Sequence, residues 1–375
     1  MPVFPRRVVD AVVGEALLPS LRTARCVRWR GDRACRACEL ACPQQALWLD
    51  PLGAWHLDES ACDGCGACAS ACPSQAIDAP GVDVNALQRA WRGAGRVTLG
   101  CARCDGHADA RVPCLAGIHP EALATLLLRH PDTPVVLDLS SCQGCASGAL
   151  RPVIEAQARQ ARDYARLAGA LADVRVSGRA EAAPARAMDR RAFFRLARER
   201  TTRFVAERLA EDGAAVASVS LPHRPALLDA VRARLAVTHP TVAPAGPVML
   251  PVAAAWYVDW DVSDACDGCA TETRARCVVA CPNGAWRVAR SQGGAALTHD
   301  AASCSGCGAC ERACPRSALS ARPAALAADA GRRSKRTLAA GVCRSCRQAP
   351  ARGPDGLCRH CRTRLALAER MRPNA

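Results

Sequence analysis

The sequence predicts an α+β multidomain chain: two cysteine-rich modules flank a small α/β unit, and a four-cysteine knuckle follows near the C-terminus. Three observations carry this. The 25 cysteines among 375 residues fall into six groups. Four of the groups end in one repeated phrase. The stretch between the modules alternates short apolar runs with helical periodicity. The length suggests about two to four domains. Apolar residues make up 50% of the chain but aromatic ones only 3%, which excludes a large aromatic core. No apolar run reaches the ~18 residues of a membrane span. The opening MPVFPRRVVDAVVGEALLPS has charges inside its apolar run and two prolines, so it makes a poor secretory signal. Grouped cysteines in a chain much longer than disulfide-stapled scaffolds point to the cytoplasm and to metal or redox chemistry.

The first module is expected over 20–82 and the second over 248–325. The repeated phrase is Cys-Pro-x-x-Ala-apolar: Cys42-Pro43-Gln44-Gln45-Ala46-Leu47, Cys72-Pro73-Ser74-Gln75-Ala76-Ile77, Cys281-Pro282-Asn283-Gly284-Ala285-Trp286 and Cys314-Pro315-Arg316-Ser317-Ala318-Leu319. Two copies close an unbroken C-x2-C-x2-C-x3-C-P run, Cys62, Cys65, Cys68, Cys72 and Cys304, Cys307, Cys310, Cys314. The other two close stretched versions: Cys26, Cys35, Cys38, Cys42 has eight residues in its first gap, and Cys266, Cys269, Cys277, Cys281 has seven in its second. Three thiolates on one tight loop reach three irons of a cubane if the backbone curls around it. The small residues Asp63-Gly64, Gly66-Ala67, Ser305-Gly306 and Gly308-Ala309 permit that curl and leave amides free for the sulfurs. Two intact and two stretched runs together argue against zinc knuckles or inert buried thiols.

The run resembles that of bacterial dicluster ferredoxins. The resemblance implies ferredoxin-like 2[4Fe–4S] modules in which the fourth Cys, fixed by Pro, serves the other cluster. It assigns Cys26, Cys35, Cys38 and Cys72 to one cluster and Cys62, Cys65, Cys68 and Cys42 to a second. A third takes Cys266, Cys269, Cys277 and Cys314, and a fourth Cys304, Cys307, Cys310 and Cys281. The stretched loops depart from the family pattern and carry Arg28, Arg30 and Arg33, and Arg274 and Arg276. Those cations either raise the potential of the neighbouring cluster, dock an acidic partner, or are solvated loop charges.

The α/β unit is expected over 95–177. Strand-like runs at Val97–Gly100, Arg111–Pro113 and Val135–Leu139 run into Cys101, Cys114 and Cys142. Helices are expected over 120–130, opening with Pro120-Glu121, and over 149–171, with Pro152 in the first turn; Asp173–Val176 is a candidate last strand. A largely parallel sheet would place the three cysteines at the carboxyl ends of its strands, where open α/β sheets hold their ligands. Cys104 and Cys145 join them as C-x2-C partners. From Cys101-x2-Cys104 through Arg111–Leu123 and Val135–Cys142, the segment is similar to the iron–sulfur (delta) subunit family linking hydrogenases to heterodisulfide reductase. That similarity implies a flavodoxin-like fold holding a [2Fe–2S] cluster. The link from Cys104 to Cys114 is shorter than the family's, and the last pair is C-x2-C instead of a wider gap. Cluster type, zinc as an alternative, an unfilled or catalytic thiol set, and the choice of four ligands from five stay open.

Residues 178–247 hold no cysteine and read as an Arg-rich helical or linker region, with helical stretches at 187–212 and 225–236. Asp189–Arg195 is similar to a twin-arginine export box but is internal and lacks a following apolar region, so it reads as an amphipathic helix face. Residues 248–260 feed the first strand of the second module. In the last segment, 338–366, Cys343-x2-Cys346-x11-Cys358-x2-Cys361 brings four thiolates to a tetrahedron, a zinc-ribbon-like arrangement, with a rubredoxin-like iron as the alternative. His360 is the weaker ligand candidate and reads as a surface residue. The basic run Arg332–Arg336 reads as a linker, with a nucleic-acid contact as the alternative.

The net charge is +15 and rests almost wholly on arginine, since Lys335 is the only lysine. Nucleic acid is one explanation. However, a cluster or zinc held by four thiolates carries about −2, so six filled sites would leave the protein near +3. The expected function is therefore an electron-transfer protein relaying single electrons through four [4Fe–4S] clusters, with a [2Fe–2S] site and structural zinc as further cofactors. Its partners would be dehydrogenase, hydrogenase or reductase subunits. No phosphate loop, flavin fingerprint or nucleophile–base pattern supplies chemistry of its own, and no catalytic residue is assigned. The alternatives are a reductase subunit with its catalytic site at the 101–145 cysteines, and an iron–sulfur nucleic-acid-binding or assembly factor.

Overall fold

The computed structural model describes residues 18–79, 87–88, 91, 95–104, 106–171, 173–178, 221–238, 248–249, 258–266, 268–269, 275–291, 294–323, 325–326, 332–338, 345–346 and 357–370. The chain divides into two compact units, residues 1–22 with 36–243 and residues 23–35 with 244–375.

The first unit opens with β1 (Ser20–Leu21), α1 (Ala37–Leu40), the hairpin β2 (Leu47–Leu49) and β3 (Trp55–Leu57), α2 (Ala67–Ala71) and β4 (Ile77–Asp78). β1 pairs antiparallel with β4, Leu21 opposite Ile77, and Leu47 faces Leu57 in the hairpin. Asp50 makes the hairpin turn by accepting from the Ala54 amide at 2.7 Å. α2 starts from Gly66, whose φ of 75° favours glycine; a Cβ there would also meet the Gly117 Cα at 3.2 Å.

Next come β5 (Val97–Cys101), β6 (Ala110–Val112), α3 (Pro120–Arg129), β7 (Val135–Asp138), α4 (Arg151–Leu167) and β8 (Val174–Ser177). The four strands form one parallel sheet in the order β6-β5-β7-β8. α3 has Pro120 in its first turn and His119 as its cap, Nδ1 accepting from the Glu121 amide at 3.2 Å. α4 buries Ile154, Ala158, Ala161 and Ala165, a stripe of helical period. It stops at Leu167, earlier than expected, because Gly169 turns left-handed (φ 82°) and the Ala170 amide closes onto the Ala165 carbonyl at 3.0 Å. The link from β5 to β6 has no helix among its described residues. Instead Arg111 ties it down, donating to the carbonyls of Cys101 (3.0 Å), Cys104 and Gly106 (2.6 Å). α5 (Arg224–Thr238) packs on α3 and matches the helix expected over 225–236; the stretch 187–212, with its arginine pair, lies outside the described residues. Arg224 and Glu121 form a fully buried ion pair at 2.8 Å between these two helices.

The second unit repeats the plan of an end-strand pair and a hairpin. β9 (Val248–Met249), β10 (Val258–Val262), α6 (Arg276–Ala280), β11 (Trp286–Ser291), β12 (Gly294–His299), α7 (Ala309–Arg312), β13 (Leu319–Pro323), β14 (Ala325–Leu326) and β15 (Arg333–Leu338) follow in order, then α8 (Arg359–Arg370). β10 pairs with β13, Trp260 opposite Ala321; β11 pairs with β12, Trp286 opposite His299; β9 pairs with β14. The basic run read as a linker is in fact β15, a third strand on β12. Trp260, Trp286, Leu297 and Leu319 form the core. Residues 23–35 belong to this unit, and within it Arg312 binds Asp32, Nε to Oδ2 at 3.0 Å.

Candidate metal centres

The repeated phrase is a single turn used four times. Its fourth residue takes left-handed backbone in every copy: Gln45 (φ 53°), Gln75 (52°), Gly284 (63°) and Ser317 (46°). That reversal swings the following alanine amide back onto the cysteine. Ala76 N lies 3.2 Å from Cys72 Sγ, Ala285 N 3.2 Å from Cys281 Sγ, and Ala318 N 3.3 Å from Cys314 Sγ. Ala46, Ala76, Ala285 and Ala318 are all buried, so a larger side chain has no space. The motif thus supplies a thiol already facing an N–H donor, the environment an anionic sulfur ligand needs.

In the second unit Cys277 has Cys269, Cys266 and Cys314 as electrostatic neighbours, and Cys304 and Cys310 each have Cys307 and Cys281. These are two sets of four thiols. Burial pushes the Cys277 and Cys304 thiols up to about 12. Backbone amides again face sulfur, Gly306 N at 3.4 Å from Cys304 and Arg276 N at 3.4 Å from Cys269. In the first unit Cys68 is pushed up to about 12 by burial and by neighbouring Cys62, Cys38 and Cys42; Cys65 is raised by burial as well. Such thiols stay protonated at neutral pH until a cationic core takes them as thiolates. Cys38 and Cys72 lie in the first unit, Cys26 and Cys35 in the segment 23–35 of the second. There Arg28 donates to the Cys35 carbonyl at 2.9 Å and Arg30 to the Ala24 carbonyl at 3.0 Å, so both brace their own loop. Arg33 and Arg276 are exposed, and Arg274 lies outside the described residues.

Residues 33–76 and 265–318 match the family model of the 4Fe-4S dicluster domain. The chain carries two 4Fe–4S dicluster modules. No curated protein matches the chain, and no solved structure does. Among the described residues, no helix is long and apolar enough to cross a membrane.

Between the modules, Cys101, Cys114, Cys142 and Cys145 line one cleft at the carboxyl ends of β5 and β7, and Cys65 of the first module lines it too. Cys114 is pushed up to about 11 by burial, and Cys101 and Cys142 are among its charge neighbours. Arg103 stands over the cleft, 3.3 Å from Cys145 Sγ and 3.4 Å from Asp63 Oδ2. Cys104 does not join them: buried at 4% exposure, it donates to Asp138 Oδ2 at 2.7 Å. In the last segment the thiols of Cys346, Cys358 and Cys361 lie within 4.8 Å of one another, and the Cys361 amide faces Cys358 Sγ at 3.4 Å. Cys343 lies outside the described residues, and His360 is exposed.

From sequence, Arg103 carries no role, Asp63 reads only as a small loop residue and Arg111 only as part of a strand-like run. Nothing in local spacing marks them, since their partners lie in other loops. Trp286 reads only as the end of a repeated phrase, although a tryptophan in the apolar slot that elsewhere holds Leu47, Ile77 and Leu319 is a visible departure.

Proposed function

We propose that the protein is an iron–sulfur electron carrier with four [4Fe–4S] sites, a fifth iron–sulfur site in the flavodoxin-like middle unit, and a zinc-ribbon-like knuckle. The observation that carries this is the pair of matched modules, whose buried thiols gather in fours with amides facing their sulfurs. Cys26, Cys35, Cys38 and Cys72, then Cys62, Cys65, Cys68 and Cys42, would hold the first two clusters. Cys266, Cys269, Cys277 and Cys314, then Cys304, Cys307, Cys310 and Cys281, would hold the other two. Bound clusters of this kind supply outer-sphere, one-electron chemistry. With all four irons closed by cysteine, these residues leave no position for a substrate.

For the middle site the cleft supports Cys101, Cys114, Cys142 and Cys145 as ligands, a [2Fe–2S] set, with Cys104 as a structural thiol bonded to Asp138. The sheet order β6-β5-β7-β8 supports a flavodoxin-like reading. Cys65 at the cleft wall lies beside Cys114, which suits passage of an electron between this site and the first module. Redox proteins of the cytoplasm, dehydrogenase, hydrogenase or reductase subunits, are the partners this chemistry fits. Cys346, Cys358 and Cys361 with Cys343 suit zinc.

Anaerobic purification, metal analysis and paramagnetic resonance during a redox titration test the proposal. About 16 irons in cubanes, about two more in the middle and one zinc are expected; fewer than about 12 irons would overturn it. Cys101→Ser should abolish the middle signal and Cys104→Ser should keep it.

A further inference from the structure

Trp260 and Trp286 are among the largest side chains fully enclosed by the protein, and neither indole N–H has a conventional hydrogen-bond partner among the described residues. An indole can only donate, and a buried donor without an acceptor is a cost the fold would not keep idly. Both rings pack in one buried cluster with the Cys304 and Cys310 thiols, Trp260 as an electrostatic neighbour of Cys304 and Trp286 of Cys310. Both cysteines belong to the same set of four. The rings are held there. β10 fixes Trp260 opposite Ala321. His299 lies over Trp286 with ring centroids 4.6 Å apart, and is itself anchored through Nδ1 to Asp259 at 3.0 Å.

The first module has no indole at either matching position; its own buried indole N–H, that of Trp55, sits in the hairpin strand β3. The residue matching Trp286, directly after Cys-Pro-x-x-Ala, is Leu47. Val262 pairs with Leu319 as Leu21 pairs with Ile77, and this register sets Pro19 at the position of Trp260. The loop also differs in charge: Cys62 is followed by Asp63, Cys304 by Ser305. Hydrogen bonds to the sulfurs stabilise the extra negative charge of a reduced cluster and raise its potential, whereas a nearby carboxylate opposes reduction.

We propose that Trp260 and Trp286 are potential-setting residues that donate N–H···S hydrogen bonds to the cluster held by Cys304, Cys307, Cys310 and Cys281. They make it the electron sink relative to its counterpart on Cys62, Cys65, Cys68 and Cys42. The proposal rests on the reading of both sets as [4Fe–4S] sites, so iron content is measured first; fewer than about 12 irons per chain overturns that reading and this proposal with it.

Holo-protein of native sequence, labelled with ¹⁵N at the tryptophan indole, is reduced anaerobically and studied by pulsed paramagnetic resonance. One [4Fe–4S] signal should carry an indole ¹⁵N coupling, and that signal should have a higher midpoint than its counterpart lost in Cys62→Ala. Trp260→Phe and Trp286→Phe should each remove part of the coupling. Each should also disfavour one-electron reduction of that cluster by about tenfold, about 59 mV, leaving the other midpoints in place. A full complement of iron with no ¹⁵N coupling on any cluster of the native protein overturns the proposal, whatever the fate of the variants. So do folded variants whose midpoints do not move.

Discussion

Lys335, the chain's only lysine, is buried against Asp259 with Nζ and Oδ2 at 2.6 Å. Burial alone would raise the Asp259 carboxyl, but hydrogen bonds from His299, Lys335 and the Trp260 amide outweigh it and hold it far below the usual carboxylate range. Asp259→Asn leaves an ammonium in the interior without its counter-charge. It should cost about 3 kcal/mol in denaturant titrations of the holo-protein, and Lys335→Met in the same chain should restore part of this. A loss under about 1 kcal/mol would contradict the assignment. His119 makes a second, pH-dependent case. Burial pushes its imidazole down to about 4, with Glu121 opposing. An unfolded histidine titrates near ~6.5. Between these values the unfolded chain binds the extra proton, so stability is complete above about pH 6.5 and falls by about 3 kcal/mol as the pH drops to about 4. His119→Asn keeps a cap acceptor for the Glu121 amide and should make the profile shallower across that window, with the stacked His223, which burial also lowers, keeping part of the slope.

Among the elements, the loops around the middle cleft tolerate least. A Cβ on Gly148 would sit 2.2 Å from the Cys142 carbonyl oxygen, a backbone atom that cannot turn aside. Gly148→Ala should therefore displace the Cys142 loop. Iron analysis should read about two atoms fewer per chain, with the four cubane signals unchanged; loss of a cubane signal instead would show that the loop serves the modules. The Cys-Pro-x-x-Ala turn is the opposite case, an element legible from sequence. Its Pro ends a short helix, its alanine must be small, and its left-handed fourth residue returns an amide to sulfur within five residues. A device so local repeats wherever its sequence repeats.

For the whole molecule the question is carrier or enzyme. Cubanes closed by the proposed cysteine sets would leave outer-sphere transfer as the chemistry available. Reduced protein should pass electrons to a generic one-electron acceptor, and Cys→Ala at 62, 65 or 68 should interrupt this in stopped-flow traces. Sustained turnover of a disulfide, persulfide or carbonyl substrate that disappears when Cys101, Cys114, Cys142 or Cys145 is replaced would make the protein a reductase.

The sequence by itself determined the two dicluster modules, the strands and helices of the middle unit, and the gathering of cysteines at its sheet edge. These follow from spacing and periodicity, which act over a few residues along one loop or helix. The tertiary structure decided the rest. It turned Cys104 away to Asp138, 34 positions on. It made a strand of the basic run at 333–338 and placed residues 23–35 in the second unit, where Asp32 meets Arg312. It also buried Glu121 against Arg224 and packed two indoles in one cluster with Cys304 and Cys310. Each of these depends on which distant groups share a buried space. There an unpaired charge or donor costs more than a local preference is worth, so the partner is chosen by the fold and not by neighbours in the chain.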